Sequence, residues 1–175
     1  SRGYKSNAVK FPLEVNHQTS VSASGDEHKL IFNSTNCPVV ISPDRVEAAQ
    51  FLLKKHNCDV IISDDGMQHY KLGRDMEIAL VDGYKKFGNG FTLPAGPLRE
   101  PVKRLKEVDY IISANKPWIE EIETSDKDKL MTYEPVAWVD LKTGIEKPIS
   151  EWPLDKLVYA VAGIANPQNF FSTLR

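Results

Sequence analysis

Asp64, Asp65, Gln68 and His69 are the side chains whose types and spacing point most directly to chemistry. They close the segment Cys-Asp-Val-Ile-Ile-Ser-Asp-Asp-Gly-Met-Gln-His at residues 58–69. Two adjacent carboxylates at a strand end can hold Mg²⁺ or position a nucleophile for phosphoryl transfer. The competing reading is a strand-to-turn junction in which Asp-Asp-Gly serves backbone geometry alone. Gln68 and His69 favour a site, because four clustered polar residues exceed what a turn needs. Arg99 and Glu100 stand in a Gly/Pro-rich stretch. The planar fork of Arg99 suits a phosphate, and a surface ion pair is the alternative for both residues. Arg45 carries the same two readings. Asp26 and Glu27 read as a helix cap when taken alone.

Strand ends must position these groups. Val60-Ile61-Ile62 is a short apolar run closed by a turn signal, which predicts a buried strand of a parallel sheet. Ligands gather at the carboxyl ends of such strands. Val39–Ile41, Met76–Val81 and Tyr110–Ile112 read as further strands. A helix opens at Ser42-Pro43-Asp44-Arg45 and keeps an apolar face to Lys55. Asp26 offers the cap of a short helix, although Leu30, Ile31 and Phe32 also fit a strand. Strands alternating with helices imply βαβ units and an α/β fold with a parallel sheet. The stretch 83–101 is too long for an idle loop in a compact domain, and its interleaved Phe87, Phe91, Leu93 and Leu98 predict an ordered, functional one. Tyr133–Leu141 reads as an extended strand before a turn at Lys142-Thr143-Gly144. Leu157–Ala165 reads as a strand, with a helix from Pro167.

Composition bounds the rest. The 175 residues suffice for one domain with a core and leave room for part of a second. A balance of 22 basic and 24 acidic residues gives no footprint for nucleic acid. Cys37 and Cys58 have no metal-ligand spacing and read as free thiols. No apolar stretch approaches a membrane span. The glycine-rich phosphate loop with Lys and Ser/Thr is absent, as are the serine-hydrolase elbow and His-Glu-x-x-His. The chain has no initiating Met and ends inside a helical pattern, so it is expected to be an internal piece of a longer protein.

Taken together, several segments resemble the tetraacyldisaccharide 4'-kinase family of lipid A synthesis. They are Ser1-Arg2-Gly3-Tyr4, Gly25-Asp26-Glu27, Asp44-Arg45, Asp64-Asp65-Gly66-Met67-Gln68-His69, Phe87-Gly88-Asn89-Gly90, Leu93 through Pro101, and Ala162 through Gln168. They follow the family's order and span nearly the whole chain. The resemblance implies a P-loop NTPase-like fold that moves the ATP γ-phosphate to the 4'-hydroxyl of a lipid disaccharide, at the cytoplasmic face of the bacterial inner membrane. It implies Asp26 as the base that accepts the sugar hydroxyl proton, and Asp64 and Asp65 as the acidic pair tied to Mg²⁺ and the phosphates. Glu27, Arg45, Gln68, His69, Arg99 and Glu100 match positions around the nucleotide and lipid head group, and Tyr4 matches a tyrosine beside the site. The family's phosphate loop and amino-terminal membrane helix would lie upstream, and a second-domain His downstream. Lys5 replaces a usual Gly, and His28 a usual Pro.

These readings place residues 1–132 in a nucleotide-binding kinase domain, 133–150 in a connecting ribbon, and 151–175 at the start of a second α/β domain. The expected function is an ATP-dependent lipid kinase, inactive in this piece alone. One rival is a non-catalytic module that binds nucleotide or lipid head group without a phosphate loop. Another is a metal-dependent phosphatase built on Asp64 and Asp65, which would hydrolyse phosphate esters without ATP.

Overall fold

The computed structural model describes residues 10–114, 128–151, 157, 159–164 and 167–174. Tyr4 and its neighbours, and Ala165–Asn166, lie outside them. The architecture is α/β. The first layer pairs β1 (Leu13–Val15) antiparallel with β2 (Val39–Ile41), Leu13 opposite Ile41. Between them run α1 (Val21–Ser24) and α2 (Asp26–Thr35), and α2 packs on both strands. Segment 30–32 is therefore helical, and Gly25, with φ of 83°, is the N-cap rather than Asp26. His28 is buried in the first turn of α2, its Nδ1 2.7 Å from the Ser24 carbonyl oxygen.

α3 (Arg45–Lys55) follows β2 and packs against it. Asp44 caps it, its Oδ1 accepting the Val46 and Glu47 N–H groups at 2.8 and 3.2 Å. Lys54 and Lys55 occupy the last turn, where cations complement the helix dipole. Glu14 ties β1 to that end, binding Lys55 Nζ and lying 2.7 Å from His56 Nε2.

The parallel sheet has the order β3 (Ile78–Asp82), β4 (Tyr110–Ala114), β5 (Asp128–Met131). Parallel neighbours need a long crossover. The one from β3 to β4 contains the Gly/Pro-rich loop and a 3₁₀ turn at Val102–Lys106. Leu105 and Val108 of this crossover cover Ala79, Val81 and Ile111 on one face of the sheet. Met67, Phe87 and Val102 pack against the same cluster. On the other face Ile78 and Leu80 are exposed. An antiparallel hairpin, β6 (Ala137–Val139) with β7 (Glu146–Pro148), and α4 (Pro167–Thr173) follow.

Three expectations are corrected. Val60–Ile62 is not a buried strand: it has no ladder partner among the described residues, and Val60 and Ile62 are 76% and 90% exposed. An apolar run becomes a strand only where a second backbone offers its hydrogen bonds, and β3 pairs with β4 instead. The described residues of 157–164 are likewise outside any sheet, with Leu157, Tyr159 and Val161 exposed. In 133–141 the strand shrinks to the three residues that β7 can pair.

Candidate active site

Asp64 and Asp65 occupy a turn after the unpaired extended segment, not the end of a sheet strand. Asp65 has φ of 47°, the left-handed region that Asp tolerates better than most residues. Met67, two residues on, is packed against the core and fixes the turn to the sheet. The turn closes with His69 N–H donating to Gly66 O at 3.0 Å and Leu72 N–H to His69 O at 3.0 Å.

The second element is the Gly/Pro-rich loop. Leu93 N–H donates to Leu98 O at 2.8 Å, Gly96 N–H to Thr92 O at 3.1 Å, and Asn89 Nδ2 to Ala95 O at 2.9 Å. A Cβ on Gly96 would collide with Asn89 Oδ1 and the Phe91 backbone, so only glycine lets the loop close. Phe87 anchors the loop in the core. This ordered loop delivers Arg99 to the Asp turn. Arg99 Nη1 donates to Asp65 Oδ1 at 2.8 Å and Oδ2 at 2.6 Å.

Arg45, buried at the start of α3, donates from Nη2 to the Asp64 backbone oxygen at 2.9 Å. The two arginines thus hold the acidic pair from opposite sides in sequence. Glu100 Oε1 accepts from Tyr70 Oη at 2.7 Å. The Glu100 carboxylate pushes the Tyr70 phenol above its ordinary pKa. Gln68 lies between two cavities. One, of about 250 Å³, is lined by Gln68, Arg99 and Glu100 beside Asp82 and Lys86. The other, of about 600 Å³, is lined by Gln68 and His69 with Arg45 and Lys71.

Arg45, Asp64, Asp65, Gln68, His69, Arg99 and Glu100 are therefore gathered together. Asp26 and Glu27 stand at the start of α2. Among the described residues neither lines these cavities or shares a hydrogen bond or ion pair with the acidic pair. Asp26 Oδ1 accepts the N–H of Glu27 at 2.9 Å.

The chemistry of the donors bears on a divalent cation. Both Asp65 oxygens are engaged by Arg99. The Asp64 carboxylate is exposed, with no side-chain hydrogen bond or ion pair among the described residues. Among the described residues no cluster of three His, Cys, Asp or Glu could hold a metal ion. That set cannot enclose an ion, but it suits Mg²⁺, which keeps waters and takes one or two carboxylates plus substrate phosphates.

Sequence reasoning missed Arg74, Glu77, Arg104 and Tyr70. Glu77 receives Arg74 Nη1 at 2.6 Å and also pairs with Arg104. Glu77 in turn raises the Arg104 guanidinium above its ordinary pKa. The available signal was Arg74 in a turn-rich stretch just ahead of β3, a place where a cation often collects loop carbonyls.

A family profile described as tetraacyldisaccharide-1-P 4'-kinase matches residues 1–175. A tetraacyldisaccharide 4'-kinase of Legionella pneumophila (strain Corby) is 49% identical over 99% of this chain and 51% of its own. One of Vibrio cholerae serotype O1 (strain O395) is 47% identical over 100% of this chain and 49% of its own. A crystal structure of the "apo" form of LpxK from Aquifex aeolicus in complex with ATP superposes with a TM-score of 0.65 at 31% identity. It covers 85% of this chain and 48% of that one. The chain thus spans about half the length of the curated relatives it matches.

Proposed function

The chain belongs to the tetraacyldisaccharide-1-P 4'-kinase family, and from that premise we propose that its protein transfers the γ-phosphate of ATP to the 4'-hydroxyl of a tetraacyldisaccharide 1-phosphate in lipid A synthesis. The observation that carries this reading is the Arg99–Asp65 pair, one guanidinium nitrogen on both carboxylate oxygens, which joins the Asp-Asp-Gly turn to the Gly/Pro-rich loop across 34 residues. Phosphoryl transfer is mainly positioning and electrostatics, so an ordered array of carboxylates and guanidinium groups is the equipment it needs.

In this reading Asp26 accepts the proton of the sugar hydroxyl. Support comes from topology. The connection Asn36-Cys37-Pro38 returns the chain along α2, which packs on β2. Arg45 in turn follows directly on the segment that leaves β2. Asp64, with Asp65 beside it, holds Mg²⁺, which when bound neutralises phosphate charge. Arg99 keeps Asp65 oriented, and Arg45 fixes the Asp64 backbone. Glu27, Gln68, His69 and Glu100 orient the nucleotide and the lipid head group, with Tyr4 beside them. ATP and a lipid disaccharide are the substrates, worked on at the cytoplasmic face of the inner membrane through a membrane segment outside this chain. No described helix is long and apolar enough to cross a membrane. Residues 1–132 form part of the nucleotide-binding domain, 133–150 the ribbon, and 151–175 the start of the second domain.

No glycine-rich loop with Lys and Ser/Thr occurs in the 175 residues. The whole protein is therefore the object to assay, and this chain alone should not turn over ATP. The test follows labelled γ-phosphate into the disaccharide. Label in the lipid supports the kinase. Hydrolysis of phosphate esters without ATP would favour a phosphatase instead.

A further inference from the structure

We propose that Arg74 is a positioning residue that clamps the Gly66–His69 turn, and through it Gln68 and His69, to the entrance of β3. Arg74 Nη1 donates to Gly66 O at 3.3 Å, Met67 O at 3.2 Å and Glu77 Oε1 at 2.6 Å. Its Nη2 donates to His69 O at 3.0 Å. Two nitrogens of one rigid fork thus serve three carbonyl groups of a single turn and a carboxylate one residue before β3. The guanidinium also lies 5.7 Å from the centre of the Tyr70 ring, whose hydroxyl donates to Glu100.

The turn has weak internal support. It follows a segment with no ladder partner among the described residues, and its neighbour Asp65 holds a positive φ. Arg74 gives its carbonyl groups a common fixed point, which a flexible loop needs if its polar side chains are to hold one geometry. Lysine replaces it poorly, because one ammonium nitrogen cannot stand at both the Nη1 and the Nη2 positions that together hold the three turn carbonyls and Glu77. Glu77 keeps Arg104 on its other oxygen, so removing Arg74 does not leave that carboxylate unpaired.

The kinetic part of this proposal rests on the kinase reading; the clamp itself does not. The experiment compares wild type, Arg74→Ala and Arg74→Lys in the full-length protein. Hydrogen exchange should quicken in both variants at the amides of His69 and Leu72, whose bonds end on carbonyl groups that Arg74 also holds, while β3 and β4 amides stay as in wild type. In lipid-dependent phosphate transfer kcat should fall about 10- to 100-fold with the ATP KM changed less than about threefold, as expected of misplaced groups. Exchange that quickens throughout β3 and β4 in step with a lower Tm would reduce Arg74 to a stabilising ion pair and overturn the proposal. Unchanged exchange at 66–72, or wild-type kcat in both variants, would overturn it too. If wild-type protein transfers no phosphate, the kinase reading fails, and the exchange pattern still decides the clamp.

Discussion

Arg99 Nη1 sits against both oxygens of Asp65 although the two side chains are 60% and 61% exposed. An exposed pair contributes at most about 1 kcal/mol to stability. The geometry therefore serves orientation more than folding. Arg99→Lys should leave the thermal midpoint almost unmoved. Lysine keeps the charge but loses the planar guanidinium that sets Nη1 against the Asp65 carboxylate. Turnover should accordingly fall about 10- to 100-fold. Melting curves alongside phosphate-transfer rates check this, and a large loss of Tm with normal turnover would reverse the assignment. This pair was not legible in the sequence, because nothing local announces a contact across 34 residues. Arg74 was harder to read for a different reason: its partners are close in sequence but mostly backbone carbonyls, which carry no residue signature.

Elements were read best where local chemistry decides them. Asp44 as a cap, the apolar face up to Lys55 and the β-branched runs at Val39–Ile41 and Ile78–Asp82 each specify their element from within. Val60–Ile62 has the same composition and failed, since pairing depends on a neighbour that the run itself does not encode. The join of β1 to α3 gives a prediction at this scale. Lys55 first, then His56, holds the Glu14 carboxyl below its ordinary pKa against a smaller opposing effect of burial. A depressed carboxylate pKa adds stability above its unfolded value and loses it as pH falls through the folded one. Wild type should thus exceed Glu14→Gln in stability at pH 7, by no more than about 1 kcal/mol for so exposed a cluster. The difference should begin to shrink as pH falls to the unfolded carboxyl value of about 4.3 and vanish only below the lowered folded one. Urea midpoints for both proteins from pH 7 to pH 3 measure it, and a gap that widens toward acid would refute the linkage.

At the scale of the whole molecule, the described residues pack on one face of the sheet, while β3 side chains on the other face are exposed. Ile78 and Leu80 of β3 are exposed, as are Val60 and Ile62 of the unpaired segment. Open strand edges and contiguous apolar surface promote association. The 175-residue chain expressed by itself should therefore self-associate with rising concentration, and Leu80→Lys with Ile62→Lys should suppress this in sedimentation velocity. A monomer at every concentration would show that the face is not sticky. The central claim is that residues 26, 64–69 and 99–100 serve one phosphoryl-transfer site. Its most direct test is the rate of labelled γ-phosphate transfer into a tetraacyldisaccharide 1-phosphate by full-length wild type, Asp65→Asn and Asp26→Asn across a Mg²⁺ titration. The account predicts transfer by wild type, partial recovery of Asp65→Asn at high Mg²⁺, and a loss of about 10²- to 10⁴-fold in Asp26→Asn that no metal restores. Wild-type turnover in Asp26→Asn, or no lipid-dependent transfer by wild type, would contradict it.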